Sequence, residues 1–126
     1  MNFPKDKYYI LDGKKPVVTD DVIEWAKRFN EPRHVGNTFL FGKWGPHIST
    51  VFLGTNHQWR EGPPLLFETM IFGGYHDEWM DRYATWEEAE KGHRRAVWLA
   101  IRTLPIHLLT KAYIYTRKFL VELFKT

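Results

Sequence analysis

Short apolar runs separated by turn-forming residues occupy the chain up to residue 84, and this pattern predicts strands. Residues 8–18, YYILDGKKPVV, are typical of two short strands about a turn at Asp12-Gly13. Three further strand candidates follow, with loops rich in Gly, Pro and Asn between them: TFLF, ISTVFLG and PLLFETMIFGG. The next segment, YHDEWMDRYA, lacks such a pattern and predicts irregular structure or a short helical turn.

Helical spacing occurs early in the chain and again after residue 84. Residues 19–30 predict one N-terminal helix, because Asp21 and Glu24 have the spacing of a capping box and an apolar stripe follows them. A stronger helix is predicted from Thr85, which forms a second capping box with Glu88. Apolar residues then recur at helical spacing as far as Leu104.

Pro105 should break or kink this helix, so a separate last helix is predicted over about 106–124. Its apolar residues cover more of its surface than one side of a small domain needs. A face of this width indicates a homo-oligomer formed through the last helix. Packing into the core is a second reading. Contact with a membrane surface is a third, because the helix also carries several lysines and arginines.

Together these elements predict an α+β fold: a small antiparallel sheet of three to five strands, one N-terminal helix and a C-terminal helical pair. The length of 126 residues suits one domain, residues 1–126, whose core spans about 7–104. No internal repeat or linker is visible.

Composition narrows the class of protein. Aromatic residues make up 17% of the chain, which supports a packed core. There is no cysteine, so disulfides and thiol catalysis are excluded, and a reducing cytosol is expected. The first residues lack the apolar core of a signal peptide, and no apolar run approaches the roughly 20 residues of a membrane span. The sequence therefore predicts a cytoplasmic protein without a membrane span.

The charge is unevenly distributed. The net charge is +3, but residues 1–84 hold 10 Lys or Arg against 11 Asp or Glu, whereas residues 85–126 hold 8 against 4. A basic C-terminal part is compatible with an anionic partner without requiring one. We expect these basic residues to form a solvated helix face, and we do not expect nucleic acid as the partner.

Glu68 stands in the middle of the apolar run LLFETMIFGG. Alternate residues of this strand are apolar on both faces, so it is predicted to be central and covered on both sides. An unpaired buried carboxylate is unfavourable, so Glu68 should either pair with a cation or line a cavity. The candidate partners are Arg82, Arg60 and His57.

A ligand site is predicted around this carboxylate. The preceding loop, TNHQWREGPP, brings together His57, Trp59 and Arg60, and loops on rigid strands commonly carry sites. If the ligand is a nucleotide, Trp59 would stack on its base, and Arg60 and Arg82 would bind its phosphate. Glu68 would accept a hydrogen bond from the edge of the base or from a hydroxyl. The alternative is a small hydrolase in which Glu68 and His57 act as acid and base.

Signatures of other chemistry are missing from the sequence. There is no H-E-x-x-H, no G-x-S-x-G and no phosphate-binding G-x-x-x-x-G-K, so neither a metal nor a cofactor is expected. His93 lies on the apolar stripe of its helix and is expected to be a core histidine with hydrogen-bond partners.

The order of several motifs resembles a family of small uncharacterised proteins in tailed-phage genomes and prophages. The motifs are YYILDGKKPV, EWAKRF, STVFLGTNH, GPPLLFETMIFGG and RYATWEEAEKGH, and the resemblance covers about residues 7–97. It implies a phage-encoded accessory protein that acts inside the infected bacterial cell. Together with an aromatic-rich, cysteine-free chain that lacks a catalytic signature, the resemblance favours a non-enzymatic protein that binds a host component. The component would be a small nucleotide signal or a host defence protein. A structural protein of the virion or of its assembly is a further alternative.

Overall fold

A computed structural model describes residues 7–125 of the chain, with the side chain of His107 left out. Its elements alternate between short strands and helices, and the last helix is by far the longest. In chain order they are β1 (Tyr8–Asp12), β2 (Lys15–Thr19), α1 (Val22–Arg28), β3 (His34–Phe39), a 3-10 turn (Gly42–Trp44), β4 (His47–Phe52), β5 (Phe67–Phe72), β6 (Met80–Tyr83) and α2 (Trp86–Leu123).

The strands form two antiparallel sheets where one was predicted. Strands β1 and β2 form a hairpin, and the other four form a sheet in the order β3-β4-β5-β6. The hairpin meets the larger sheet through the loop after β4, where the Tyr9 amide donates to the Gly54 carbonyl at 2.9 Å. The α+β class is therefore confirmed, with the strands divided between two sheets.

Both predicted N-caps are present, but in neither does the glutamate accept from the cap amide: the Asp21 amide donates to the Thr19 hydroxyl, and Glu88 accepts from the Ala84 amide. The Asp21 carboxylate accepts hydrogen bonds from the amides of Ile23 and Glu24, and the Thr85 hydroxyl accepts one from the Glu88 amide. These bonds satisfy amides that the first turn of a helix leaves free. Helix α1 has only seven residues, none of them buried, and it follows the hairpin.

The segment predicted to be irregular contains a strand. Residues 80–83 form β6, because β5 offers them an antiparallel ladder in which Phe67 faces Tyr83 and Glu68 faces Arg82. The turn before β6 begins at Gly73 and Gly74, both with positive φ, a conformation that glycine adopts without strain. Local sequence does not encode such a strand, since its ladder hydrogen bonds are made with β5.

The two predicted C-terminal helical stretches are both helical and run on as one element, Trp86–Leu123, with Pro105 inside it. Most side chains beyond Pro105 are exposed, and Lys111 contacts the body of the protein by donating to the Trp44 carbonyl at 3.1 Å. Within residues 7–125, no helix has an apolar stretch long enough to cross a membrane.

Helix α2 and the hairpin cover one face of the four-stranded sheet. Two apolar clusters fill the space between them, one around Tyr9, Phe52 and Phe67, the other around Ile48, Ile71 and Ala96. The opposite face is open within residues 7–125, and its side chains are half-buried or exposed: Phe39, His47, Ser49, Val51, Glu68, Met70, Phe72, Met80 and Arg82. The prediction that both faces of β5 are covered is therefore wrong.

Candidate functional site

Glu68 and Arg82 form an ion pair on the open face of the sheet. They face each other across the β5–β6 ladder, and the Arg82 Nε donates to Glu68 Oε2 at 3.0 Å. The side chains are 17% exposed for Glu68 and 25% for Arg82, so the pair is only partly shielded from solvent. Of the three partners considered for Glu68, the structure selects Arg82.

The other three predicted site residues lie in the loop between β4 and β5. His57 Nε2 hydrogen-bonds to the Thr55 hydroxyl at 3.1 Å, while Trp59 and Arg60 are exposed. This loop lies at the end of the sheet nearest Glu68 and Arg82, because β4 ends at Phe52 and β5 begins at Phe67. Within residues 7–125, no hydrogen bond or ion pair joins the three loop side chains to the Glu68–Arg82 pair.

A row of stacked rings crosses the other end of the open face. Phe39 and His47 lie parallel with ring centroids 4.0 Å apart, and His47 and Phe72 follow at 5.7 Å. The Asn37 Oδ1 also contacts the His47 imidazole. Burial lowers the pKa of His47, and the charge of nearby His34 lowers it further. The imidazole is therefore favoured in its neutral form, as a polar ring between two apolar ones.

A buried polar layer, which the sequence analysis anticipated only at His93, lies between the sheet and α2. The His93 imidazole hydrogen-bonds to the Thr38 hydroxyl at 2.8 Å and to the Thr50 hydroxyl at 2.7 Å. Thr50 in turn bonds to Thr69 at 2.6 Å. Burial lowers the pKa of His93, and the charge of His47 adds to this effect. His93 is thus the core histidine with partners that the sequence predicted.

Two glycines allow the sheet and α2 to approach closely around this layer, Gly36 next to His93 and Gly92 next to Tyr83. A Cβ at Gly36 would lie 2.7 Å from the His93 ring, and one at Gly92 would lie 2.1 Å from the Tyr83 ring and hydroxyl. Burial raises the pKa of Tyr83, and its buried hydroxyl makes no hydrogen bond of standard geometry within the described part of the chain. Close contact between helix and sheet therefore depends on the missing side chains.

A cavity of about 280 Å³ lies between the hairpin, α1 and the start of α2. Its volume is just below the range of roughly 300–1,000 Å³ that is usual for ligand pockets. Its walls are mainly aromatic or apolar: Tyr9, Ile10, Leu11, Trp25, Phe29, Pro32, Phe52 and Trp86. Trp25 and Phe29 meet edge to face at 4.4 Å, and the Trp25 indole donates to the Gly54 carbonyl at 3.0 Å. The ring positions are therefore fixed by contacts within the protein.

Charged groups stand at the same cavity. The Arg33 guanidinium lies 4.2 Å from the Phe29 ring and contacts the Phe52 carbonyl at 3.4 Å, and within residues 7–125 it has no carboxylate partner. Arg28 is held by the exposed Glu24 and Glu31 at 3.7 and 3.5 Å, which are weak pairs in water. The cavity thus presents a guanidinium that packs on the Phe29 ring and has no carboxylate partner within residues 7–125, while the Glu31 carboxylate lines the same cavity.

None of the five predicted site residues is among the described residues that line this cavity. Trp25 and Phe29 belong to the apolar stripe predicted for residues 19–30, and Arg33 lies between that predicted helix and the next strand candidate. The sequence offered one signal for the contact between Phe29 and Arg33: the two residues are only four positions apart, just beyond the end of a short helix.

The described part of the chain offers no cluster of side chains that could bind a metal ion. Within residues 7–125, no group of three His, Asp or Glu side chains is placed to hold a metal ion. Comparison with known proteins does not assign the chain to a family: no protein-family model, no curated protein and no solved structure matches it.

Proposed function

We propose that this chain is a non-enzymatic binding protein, and that its ligand is a small nucleotide held in the cavity between the hairpin and α1. The observation that carries the proposal is the Arg33 guanidinium, which lies 4.2 Å from the Phe29 ring and is without a carboxylate partner in the described residues. Trp25 lines the same cavity. Aromatic rings stack on a base, and a guanidinium binds phosphate through two parallel hydrogen bonds.

The biological setting of the proposal comes from the resemblance of residues 7–97 to small phage and prophage proteins. A phage-encoded accessory protein would bind a nucleotide signal of its host in the cytoplasm of the infected cell. A host defence protein is the alternative partner. The hydrolase alternative has less support, because Glu68 bonds to Arg82 and His57 to Thr55.

Native mass spectrometry of the purified chain, followed by titration with a panel of mono-, di- and cyclic nucleotides, tests the proposal. Arg33→Gln keeps much of the side-chain volume and removes the charge, so it should weaken nucleotide binding about tenfold or more, the usual loss for a charged hydrogen bond. Phe29→Leu should weaken it by removing the stacking surface.

Arg60→Ala and Glu68→Gln are the matched controls, because they remove charge at the site predicted from the sequence. Retained binding in these two variants, with loss in Arg33→Gln, supports the cavity. The reverse pattern would move the site to the loop after β4. A chain that binds none of the nucleotides would contradict the proposal.

A second candidate, an oligomeric component of a phage particle or of its assembly, is favoured by the last part of α2. Ile106, Tyr113 and Leu120 recur every seven residues and are 50%, 65% and 47% exposed. Lys111, Lys118 and Lys125 recur at the same interval on the opposite side, and Lys111 faces the body. An apolar seam backed by lysines suits a helix that packs against a second copy.

A further inference from the structure

The solvent side of α2 carries a stripe of cations and tryptophan before Pro105. Lys91, Arg94, Arg95, Trp98 and Arg102 have the spacing of one helix face, and they line a shallow groove with Trp79 from the turn before β6. The side of α2 that packs on the sheet is the other one, with Ala89, Gly92, Ala96 and Ala100. The stripe is therefore outside both the cavity and the sheet face.

The charge of the stripe is poorly compensated. Arg94 lies 4.0 Å from Glu90 and Arg95 lies 3.9 Å from Asp81, and both arginines are about two-thirds exposed. The side chains of Lys91 and Arg102 have no hydrogen-bond or ion-pair partner within residues 7–125. Residues 91–121 contain no Asp or Glu, whereas seven positions are basic: Lys91, Arg94, Arg95, Arg102, Lys111, Arg117 and Lys118.

Trp98 gives the stripe a second property. Its indole is 65% exposed and lies in the middle of the four cations. Exposed tryptophan has a large apolar surface that water solvates poorly, and a flat ring among cations matches the stacking platforms of proteins that bind single strands. From Lys91 to Arg102 the stripe is about 16 Å long at 1.5 Å per residue.

We propose that this face of α2 binds single-stranded nucleic acid, with the cations on phosphates and Trp98 stacked on a base. The charge is complementary to a polyanion, and the indole between the cations favours unpaired bases over the phosphates of a duplex. A membrane surface is the less favoured partner, because the interfacial helices that bind it have a broad apolar face beside the basic one. Of the four positions one helical turn from Trp98, three are basic (Arg94, Arg95 and Arg102), and the fourth is Ile101, which is 37% exposed.

Fluorescence anisotropy with labelled oligothymidylate and oligouridylate tests this proposal on the full chain. Binding should weaken steeply between about 50 and 200 mM salt, with a slope near −2.8 for four phosphate contacts at about −0.7 each. Arg94→Ala with Arg102→Ala should halve the slope, to about −1.4. Trp98→Ala should reduce affinity about tenfold, and Trp98→Phe should restore part of it, since a smaller ring still stacks.

Each variant has a matched control elsewhere on the surface. Lys15→Ala with Lys27→Ala removes the same charge from two exposed positions outside the stripe, and Trp44→Ala removes an indole that is also 65% exposed. These controls should bind like the parent chain. Unchanged thermal denaturation of every variant shows that the fold is intact.

Three outcomes would overturn the proposal. The first is no binding of either oligonucleotide at low salt. The second is equal loss in the stripe variants and their controls, which indicates only a general effect of charge. The third is binding to vesicles of phosphatidylcholine and phosphatidylserine without binding to oligonucleotides, which assigns the stripe to a membrane surface. A preference between oligothymidylate and oligouridylate would support the proposal and identify the type of strand.

Discussion

Nδ1 of His93 lies 2.7 Å from the hydroxyl of Thr50, and this hydrogen bond joins the last helix to the centre of the larger sheet. Nε2 of the same ring bonds to Thr38, so one imidazole links two strands to α2. A buried polar network of this kind is stable only while every member keeps its partner. The protonation of His93 therefore bears on the stability of the fold.

The first prediction concerns pH. Burial lowers the pKa of His93 in the folded protein, whereas the unfolded chain has a histidine pKa of about 6.5. The folded state thus binds this proton more weakly than the unfolded state does. The stabilisation that neutral His93 provides is therefore fully present above the unfolded pKa and is lost as the pH falls through the folded pKa. Urea unfolding should show stability falling by up to about 1.4 kcal/mol per pH unit in that window.

His93→Gln should flatten this dependence, since the amide can replace a hydrogen bond without titrating. His47 also has a pKa lowered by burial, so it contributes with the same sign, and the double variant with His47→Gln should lose more of the slope. An unchanged slope in His93→Gln would show that other groups cause the dependence.

The second prediction concerns Gly92. Alanine is normally about 1 kcal/mol more favourable than glycine inside a helix. Here a Cβ would lie 2.1 Å from the Tyr83 ring, so Gly92→Ala should instead destabilise the protein by about 1–3 kcal/mol through overpacking. Thermal or urea denaturation measures the sign directly.

Tyr83→Ala provides the control for this clash. In that background the ring is gone, so adding Gly92→Ala should cost much less than it does in the parent chain. If the cost of Gly92→Ala is the same in both backgrounds, contact with Tyr83 is not its cause.

The third prediction concerns the ion pair of Glu68 and Arg82. Because the pair is only partly exposed, removing one partner by Arg82→Ala should cost about 1–2 kcal/mol, between the values of surface and buried pairs. A double-mutant cycle in urea with Glu68→Ala isolates the coupling. The exposed Lys7–Asp20 pair has a similar length, 2.9 Å, and should give a smaller coupling. Equal couplings would show that burial adds nothing on the open face.

The fourth prediction concerns the mass of the protein in solution. Tyr113→Glu with Leu120→Glu places two charges in the proposed seam of α2 and should reduce an oligomer to the 15.1 kDa monomer. Ile114→Glu with Val121→Glu places the same charges one position further along, on side chains that are 47% exposed. Light scattering should show a smaller effect of this second pair. A parent chain that is already monomeric would remove the self-association hypothesis.

Local hydrogen bonds and turn chemistry made several elements predictable. The first hairpin and both helix starts appear where the sequence placed them, because Asp21 and Thr85 bond to amides two or three residues away. The turn of the hairpin contains Gly13, whose positive φ only a few residue types adopt. The partner of Glu68 was predictable only as one of three residues, Arg82, Arg60 and His57.

The sequence by itself determined the α+β class, the helix caps, the candidates for pairing with Glu68 and the role of His93 as a core histidine. These follow from interactions within a few residues or from the cost of burying a polar group. Only the tertiary structure decided that β6 exists, that Arg82 is the partner, that residues 7–125 leave one sheet face open and that Trp25, Phe29 and Arg33 share a cavity. Each of these depends on strand register or on the packing of segments far apart in the chain, and neither is encoded in local spacing.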